Sequence, residues 1–226
     1  DLTRSMTTSP AANSETSLAS KIRALHALQA KDDYAAAVSG ARQLLKTEPN
    51  NRDLLLIAVH SLRMMQPTDA ALAALGRLAA GHPRFSQMHL ERGLCHVARR
   101  DAPAAIFDLR AAVTLNPALA MGWRMLDGLY RMTGDMRSAE LAAGHFAHLA
   151  SIPPQVVQAK VLFGDGEIDV AEDLIRRFLL ESGDHPEAMR LLGQIGHQHN
   201  VLDDAETLYE GVLAMVPGHD EARHEY

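Results

Sequence analysis

Histidine and cysteine side chains are the first candidates for chemistry in this sequence, because they are common metal ligands. His89, Cys95 and His96 lie close together in the chain. On a helix, His89 and His96 would share one face, while Cys95 would point about 100° away from His96. A zinc site needs three or four converging ligands, so this spacing favours a core cysteine beside two ordinary histidines. His197 and His199 are two residues apart and would not face each other on a helix either, so we predict no metal site.

Other patterns that carry chemistry are incomplete or missing. The stretch Asp165-Gly166-Glu167-Ile168-Asp169 resembles part of a calcium loop, but it lacks the twelve-residue pattern and the final glutamate. A turn between helices explains it better. The sequence contains no G-x-x-x-x-G-K-S/T or G-x-G-x-x-G phosphate-binding pattern and no G-x-S-x-G nucleophile elbow. We therefore predict that this chain is not an enzyme and that it binds no cofactor.

The composition favours closely packed helices. Apolar residues make up 47% of the 226 residues, but aromatic residues only 4%, and the abundant Ala, Leu and Met are good helix formers. No apolar run approaches the roughly 20 residues that span a bilayer, so we predict no membrane partner. The single cysteine fits a reducing compartment and, with no export signal, predicts a cytoplasmic protein. A net charge of −6 and few aromatic residues argue against nucleic-acid binding.

Six alanines recur at a nearly constant spacing and divide the chain into repeats. Successive members are separated by 34, 34, 34, 32 and 34 residues: Ala37, Ala71, Ala105, Ala139, Ala171 and Ala205. A turn precedes each alanine by about five residues, most clearly at Gly134-Asp135, and a proline follows four of them: Pro49, Pro83, Pro117 and Pro217. A period of this length is typical of stacked helix pairs. The small residue lets two helices approach, and the proline ends the second helix.

The fourth repeat carries the fullest pattern, with Trp123, Leu126, Tyr130, Ala139 and Phe146. This pattern resembles the tetratricopeptide repeat family, whose 34-residue unit is a helix-turn-helix. Asp127 departs from it, because the family has a small residue there, and the fifth repeat is two residues short and opens with Pro153-Pro154. The resemblance implies an all-α fold: a right-handed α-solenoid of about six helix-turn-helix repeats over residues 18–226.

The two ends of the chain carry separate expectations. Residues 1–17 are rich in Ser, Thr and Ala, and we predict that they form a disordered leader. The residues after Pro217 read as the start of a further first helix, so we expect the chain to be truncated inside a seventh repeat. Solenoid ends need a terminal unit with a polar outer face. We therefore expect this end to fray or to self-associate.

Charge is distributed unevenly along the chain. Residues 1–117 contain 14 Lys and Arg against 10 Asp and Glu, whereas residues 118–226 contain 8 against 18. In the tetratricopeptide family, set positions of the first helices line a concave groove. In repeats four to six the resemblance places five basic residues there, with Glu187 the one acid: Arg124, Arg131, Lys160, Arg190 and His197. This lining would attract an acidic segment; the alternative is a solvated face whose charges balance locally.

Two functions follow from these patterns. The first is a protein-interaction scaffold that binds a partner peptide or protein in its concave groove, with an acidic partner as one candidate. The second rests on the run from Asp203 to Ala222, which resembles bacterial proteins that join such repeats to a sulfotransferase domain. In that case the repeats would present a substrate to a catalytic domain beyond residue 226. Repeats one to three lack the residues of the family's chaperone-tail clamp, so we do not predict binding of chaperone C-terminal peptides.

Overall fold

The structure is a computed structural model that describes residues 10–66 and 68–225, with side chains over 18–66 and 68–224. Within these residues it contains helices and no strand, which confirms the predicted all-α fold. The helices are α1 (Pro10–Gln29), α2 (Tyr34–Leu44), α3 (Arg52–Met64), α4 (Thr68–Gly81), α5 (Ser86–Ala98), α6 (Ala102–Leu115), α7 (Ala120–Thr133), α8 (Met136–Ala150), α9 (Pro154–Gly164), α10 (Ile168–Ser182), α11 (Pro186–Gln198), α12 (Leu202–Met215) and α13 (Asp220–Glu225).

These helices form consecutive helix-turn-helix pairs, from α1–α2 to α11–α12, followed by the short α13. Helix α1 begins at Pro10, within the segment predicted as a leader, and residues 1–9 of that segment lie outside the described residues. None of the described helices has the length and apolarity needed to cross a bilayer.

The chain divides into two compact units, Asp1–Asp108 and Leu109–Tyr226. The first unit has a core of buried aliphatic residues from α1 to α5, which includes Leu54, Leu75 and Met88. The core of the second unit is built mainly from α9, α10 and α11, with Val156, Ile175 and Leu191 fully or almost fully buried. Each unit therefore buries apolar surface contributed by several successive helix pairs, as repeat proteins do.

The six periodic alanines occupy equivalent places in the structure. Each is the fourth residue of a second helix, as Ala139 is in α8, and each has at most 3% of its surface exposed. A side chain larger than a methyl group would collide with the facing helix at such a position. The burial of all six alanines agrees with their predicted place between the two helices of each pair.

The turn that precedes each alanine has one recurring backbone feature. A residue with positive φ stands five positions before every one of the six alanines: Asp32, Gln66, Arg100, Gly134, Gly166 and Asn200. Only glycine adopts this left-handed conformation without cost, and asparagine and aspartate tolerate it better than most other residues. The next residue often caps the second helix, as Asp135 does by accepting a hydrogen bond from the Ser138 amide at 3.1 Å. Asp135 is therefore a helix cap and not merely a solvated turn residue.

Two departures from the family pattern have local explanations. The sixth repeat keeps the family's small residue as Gly193, where a Cβ atom would lie 2.7 Å from Cε1 of Tyr209, so the tyrosine ring requires glycine there. The fourth repeat has Ala143 in place of the tyrosine, which leaves room for Asp127, and the Asp127 carboxylate accepts a hydrogen bond from Nε of Arg131 at 2.6 Å. In the fifth repeat Pro154 is the first residue of α9, which is only 11 residues long.

We predict that Ala139→Leu destabilises the protein by about 1–3 kcal/mol, because the added atoms overpack a fully buried helix contact. Ala147→Leu is the matched control, since Ala147 is an exposed residue of the same helix. Urea unfolding of the purified variants measures both changes. Equal stability of the two variants would show that the alanines do not mark the helix contacts.

Candidate functional site

The second unit contains a cavity of about 600 Å³. Residues of α8, α9, α11 and α13 line it, together with the turn before α7. Its apolar wall includes Leu149, Phe163 and Leu191. Its polar lining combines five basic or imidazole side chains with one carboxylate: His145, His148, Lys160, Arg190, His224 and Glu221.

The turn before α7 is fixed against α9 by Asn116. This buried side chain donates from Nδ2 to the Val161 carbonyl at 2.8 Å, and its Oδ1 accepts a hydrogen bond from the Ala118 amide at 3.2 Å. Gly164 allows this approach, because a Cβ atom there would lie 2.6 Å from Cγ of Asn116. One wall of the cavity is thus held by side-chain hydrogen bonds and by a required glycine.

Glu187 is the centre of an ion network behind the cavity. It is buried on α11, and one of its oxygens accepts a hydrogen bond from Nζ of Lys160 at 2.6 Å. The guanidinium of Arg190 lies 3.6 Å from the same oxygen, and Nε2 of His219 lies 3.2 Å from the other. Burial alone would raise the pKa of Glu187, but the hydrogen bond and charge of Lys160 and the charge of Arg190 lower it to about 2.

Arg190 makes a second ion pair, across to α13. Its Nη2 lies 3.0 Å from Oε2 of Glu221. The Arg190 side chain is only 7% exposed, whereas that of Glu221 is 62% exposed. A well-fixed cation within the cavity lining therefore faces a carboxylate that stands largely in solvent.

Trp123 connects the core to the cavity. Its indole Nε1 donates to the Pro117 carbonyl at 2.8 Å, and its ring packs against the core of the second unit. The ring also stacks on His145, with centroids 4.1 Å apart and planes 17° apart. The single tryptophan is thus a structural residue, as expected from the repeat pattern. It also contacts a side chain of the cavity lining.

The residues predicted to line a basic groove are placed in two groups. Lys160 and Arg190 come together at the cavity, while Arg124, Arg131 and His197 are exposed on α7 and α11 and are not among its lining residues. Arg131 pairs with Asp127 of its own helix. Carboxylates thus balance Lys160, Arg190 and Arg131 locally, but Lys160 and Arg190 are largely shielded from solvent and do not form a solvated face.

Sequence reasoning missed several residues of this cavity. The imidazoles of His145, His148 and His224 were not predicted to line it, and neither was Glu221. Glu221 could have been predicted from the repeat, because Glu221 follows Glu187 by 34 residues, the length of one repeat. The histidines at 145 and 148 lie on a second helix, where the family pattern predicts no groove residues.

The histidines and cysteine considered as metal ligands have other partners. His89 and His96 share one face of α5, as predicted, and each lies 3.6 Å from the buried carboxylate of Asp108. Arg92 also donates to this carboxylate, from Nε at 2.9 Å. Cys95 is fully buried in the first unit, and burial raises the pKa of its thiol to about 11. Within the described part of the chain, no cluster of three His, Cys, Asp or Glu side chains could hold a metal ion.

We predict that Glu187→Gln destabilises the protein at neutral pH by about 3 kcal/mol, because Lys160 and Arg190 lose a buried counter-charge. The folded-state pKa of Glu187 is lowered from 4.5 to about 2. The carboxylate therefore stabilises the wild type above pH 4.5, and this stabilisation disappears as the pH falls toward 2. Urea unfolding at several pH values should show the gap between wild type and variant narrowing over this range. A gap that stays constant would contradict the assignment, and Glu206→Gln, an exposed change on α12, is the control.

Solved structures of other proteins share this fold. Pseudomonas aeruginosa pilF shares 15% sequence identity, and the alignment covers 91% of this chain and 94% of that one with a TM-score of 0.54. The Cut9-Hcn1 hetero-tetramer of the APC/C also gives 15% identity and a TM-score of 0.54, with coverage of 91% of this chain and 41% of that chain. No curated protein sequence matches this chain significantly.

The family assignment rests on sequence as well as on fold. The tetratricopeptide repeat model matches residues 59–120 and 156–220, more than half of the chain. These two segments include the buried alanines Ala71, Ala105, Ala171 and Ala205. The chain belongs to the tetratricopeptide repeat family.

Proposed function

We propose that this chain is a protein-interaction module whose second unit binds an acidic segment of a partner protein at the cavity lined by Lys160 and Arg190. The tetratricopeptide fold suggests a protein-interaction scaffold and is typically non-catalytic. The observation that carries the acidic preference is the pairing of these two cations with carboxylates at one cavity. Ammonium and guanidinium groups form strong charge-assisted hydrogen bonds with carboxylates, and both groups are held in place at this cavity.

The cavity combines charge with apolar surface. Leu149, Phe163 and Leu191 offer apolar contacts beside the two cations. Such a mixture is typical of binding pockets, in which apolar contacts contribute affinity and a few polar groups fix the orientation of the ligand. A partner segment that carries acidic and aliphatic side chains fits this lining better than a uniformly charged one.

Three further side chains, two arginines and one histidine, extend the proposed surface along the first helices. Arg124 and Arg131 lie on α7 and His197 lies on α11, and all three are exposed. Exposed charges contribute little affinity individually, but together they attract an acidic partner during encounter. In this proposal these three residues attract the partner during encounter, and Lys160 and Arg190 bind it in the complex.

The alternative in which the repeats serve a sulfotransferase domain stays a prediction from sequence. None of the contacts described here bears on it. The full-length gene tests it directly, because a phosphosulfate-binding loop after residue 226 would be required.

We expect a fluorescein-labelled hexa-glutamate peptide to bind the protein at low salt, and a hexa-glutamine peptide not to bind. Arg190→Gln should weaken hexa-glutamate binding at least about tenfold, the lower end of the loss expected for a hydrogen bond to a charged group. Arg177→Gln is the matched control, since Arg177 is exposed on the second helix α10. Fluorescence anisotropy measures both, and thermal unfolding checks that the variants fold. Equal affinity of the two variants, or binding of both peptides, would contradict the proposal.

Removal of the outer cations should act differently. The double variant Arg124→Ala and Arg131→Ala should reduce affinity about two- to fivefold at low salt and leave the unfolding temperature nearly unchanged, because both side chains are exposed. The difference from wild type should shrink as added salt screens these charges. Stopped-flow association rates at several salt concentrations check the expectation. A variant with wild-type rates at low salt would remove α7 from the binding surface.

A further inference from the structure

Arg190 contacts two carboxylates that differ sharply in how firmly they are held. Glu187 is buried and is also approached by Lys160 at 2.6 Å and by His219 at 3.2 Å. Glu221 approaches Arg190 at 3.0 Å, but its side chain is 62% exposed. Arg190 lies closer to Glu221 than to Glu187, which is 3.6 Å away, but solvent screens the exposed pair, so Glu221 is the carboxylate that can be exchanged.

Glu221 lies on α13, beside the residue that attaches this helix to the second unit. The attachment is made through the fully buried Ala222 and by a hydrogen bond from the Ala222 amide to Nδ1 of His219 at 3.3 Å. The Glu221 side chain itself is 62% exposed, so it can rotate away from Arg190 into solvent without leaving a buried position empty.

The two carboxylates occupy equivalent positions in the repeat. Glu187 is the second residue of α11 and Glu221 is the second residue of α13, 34 residues later. Each reaches back to a cation of the preceding first helix, Lys160 in one case and Arg190 in the other. The same carboxylate position is thus used twice, once buried and once exposed at the edge of the cavity, although the two cations stand at different positions of their helices.

We propose that Glu221 is an internal occupant of a carboxylate-binding position on Arg190, and that an Asp or Glu side chain of the partner takes this position when it binds. The inference rests on the proposed function and adds its mechanism: the partner carboxylate replaces Glu221 on the Arg190 guanidinium, while Glu187 stays in place. The Glu187 network keeps the Arg190 side chain oriented throughout the exchange. Glu221 thereby lowers the affinity for acidic segments and favours ligands that add apolar contacts in the cavity.

The test compares Glu221→Gln with Asp220→Asn in binding labelled hexa-glutamate. Both variants remove one negative charge from adjacent residues of α13, but the Asp220 carboxylate faces Arg223, at 3.8 Å, and not Arg190. We expect Glu221→Gln to bind the peptide about two- to fivefold more tightly than Asp220→Asn, the range that an exposed ion pair represents. Hydrogen exchange provides a second readout. When Glu221 leaves Arg190, α13 loses one of its tertiary contacts, so saturating hexa-glutamate should accelerate amide exchange in α13 of the wild type.

The outcomes distinguish the replacement of Glu221 from the proposed binding of acidic segments. Tighter binding by Glu221→Gln than by Asp220→Asn, together with faster α13 exchange in the wild type, supports replacement of Glu221. Equal affinities of the two variants, or an α13 that the peptide leaves unchanged, overturn the replacement and leave acidic-segment binding intact. If no variant binds hexa-glutamate, the proposed function and the inference fall together.

Discussion

The close approach of two helices at a buried alanine is the constraint on which this structure depends. Ala37, Ala71, Ala105, Ala139, Ala171 and Ala205 each stand at the fourth position of a second helix with almost no exposed surface. A left-handed residue five positions earlier sets the turn that brings the helices together. Because each pair buries only part of its apolar surface, neighbouring pairs must cover the remainder. This repetition brings first-helix side chains such as Lys160, Glu187 and Arg190 within contact distance of one another.

Stacking of first helices also explains why charged residues are buried in a small helical protein. In the first unit Glu91 of α5 is buried against Arg63 and His60 of α3, and in the second Glu187 of α11 is buried against Lys160 of α9. An isolated buried carboxylate would be strongly destabilising, but each of these meets cations from an adjacent repeat. Their pKa values are accordingly lowered despite burial. In the second unit this network fixes Arg190 beside the cavity, so the interaction that joins repeats also orients the residue proposed to bind the partner.

The sequence predicted the fold in more detail than the site. The 34-residue period predicted the positions of all six alanines and the turns before them. Close helix packing requires small residues, and left-handed turns favour Gly, Asn and Asp, so residue type alone indicates both. The family resemblance predicted Lys160 and Arg190 in a binding groove; both line the cavity, and their role in binding stays a prediction. The pairing of Arg190 with Glu221 and the stacking of His145 on Trp123 could not be predicted, because they depend on side-chain reach between helices that are distant in the chain. The sequence places one acid, Glu187, among the predicted groove residues. Only the distances to Lys160 and Arg190 show that it is the counter-ion of both.

The most direct test of the central claim is a map of where an acidic segment touches the protein in solution. Backbone amide chemical-shift perturbation by NMR, with unlabelled hexa-glutamate added to the isotope-labelled protein, provides that map. Binding at the cavity predicts that the largest shifts fall on α9, α11 and α13, around Lys160, Arg190 and Glu221. Shifts concentrated on α10 and α12, or within residues 18–108, would contradict the account.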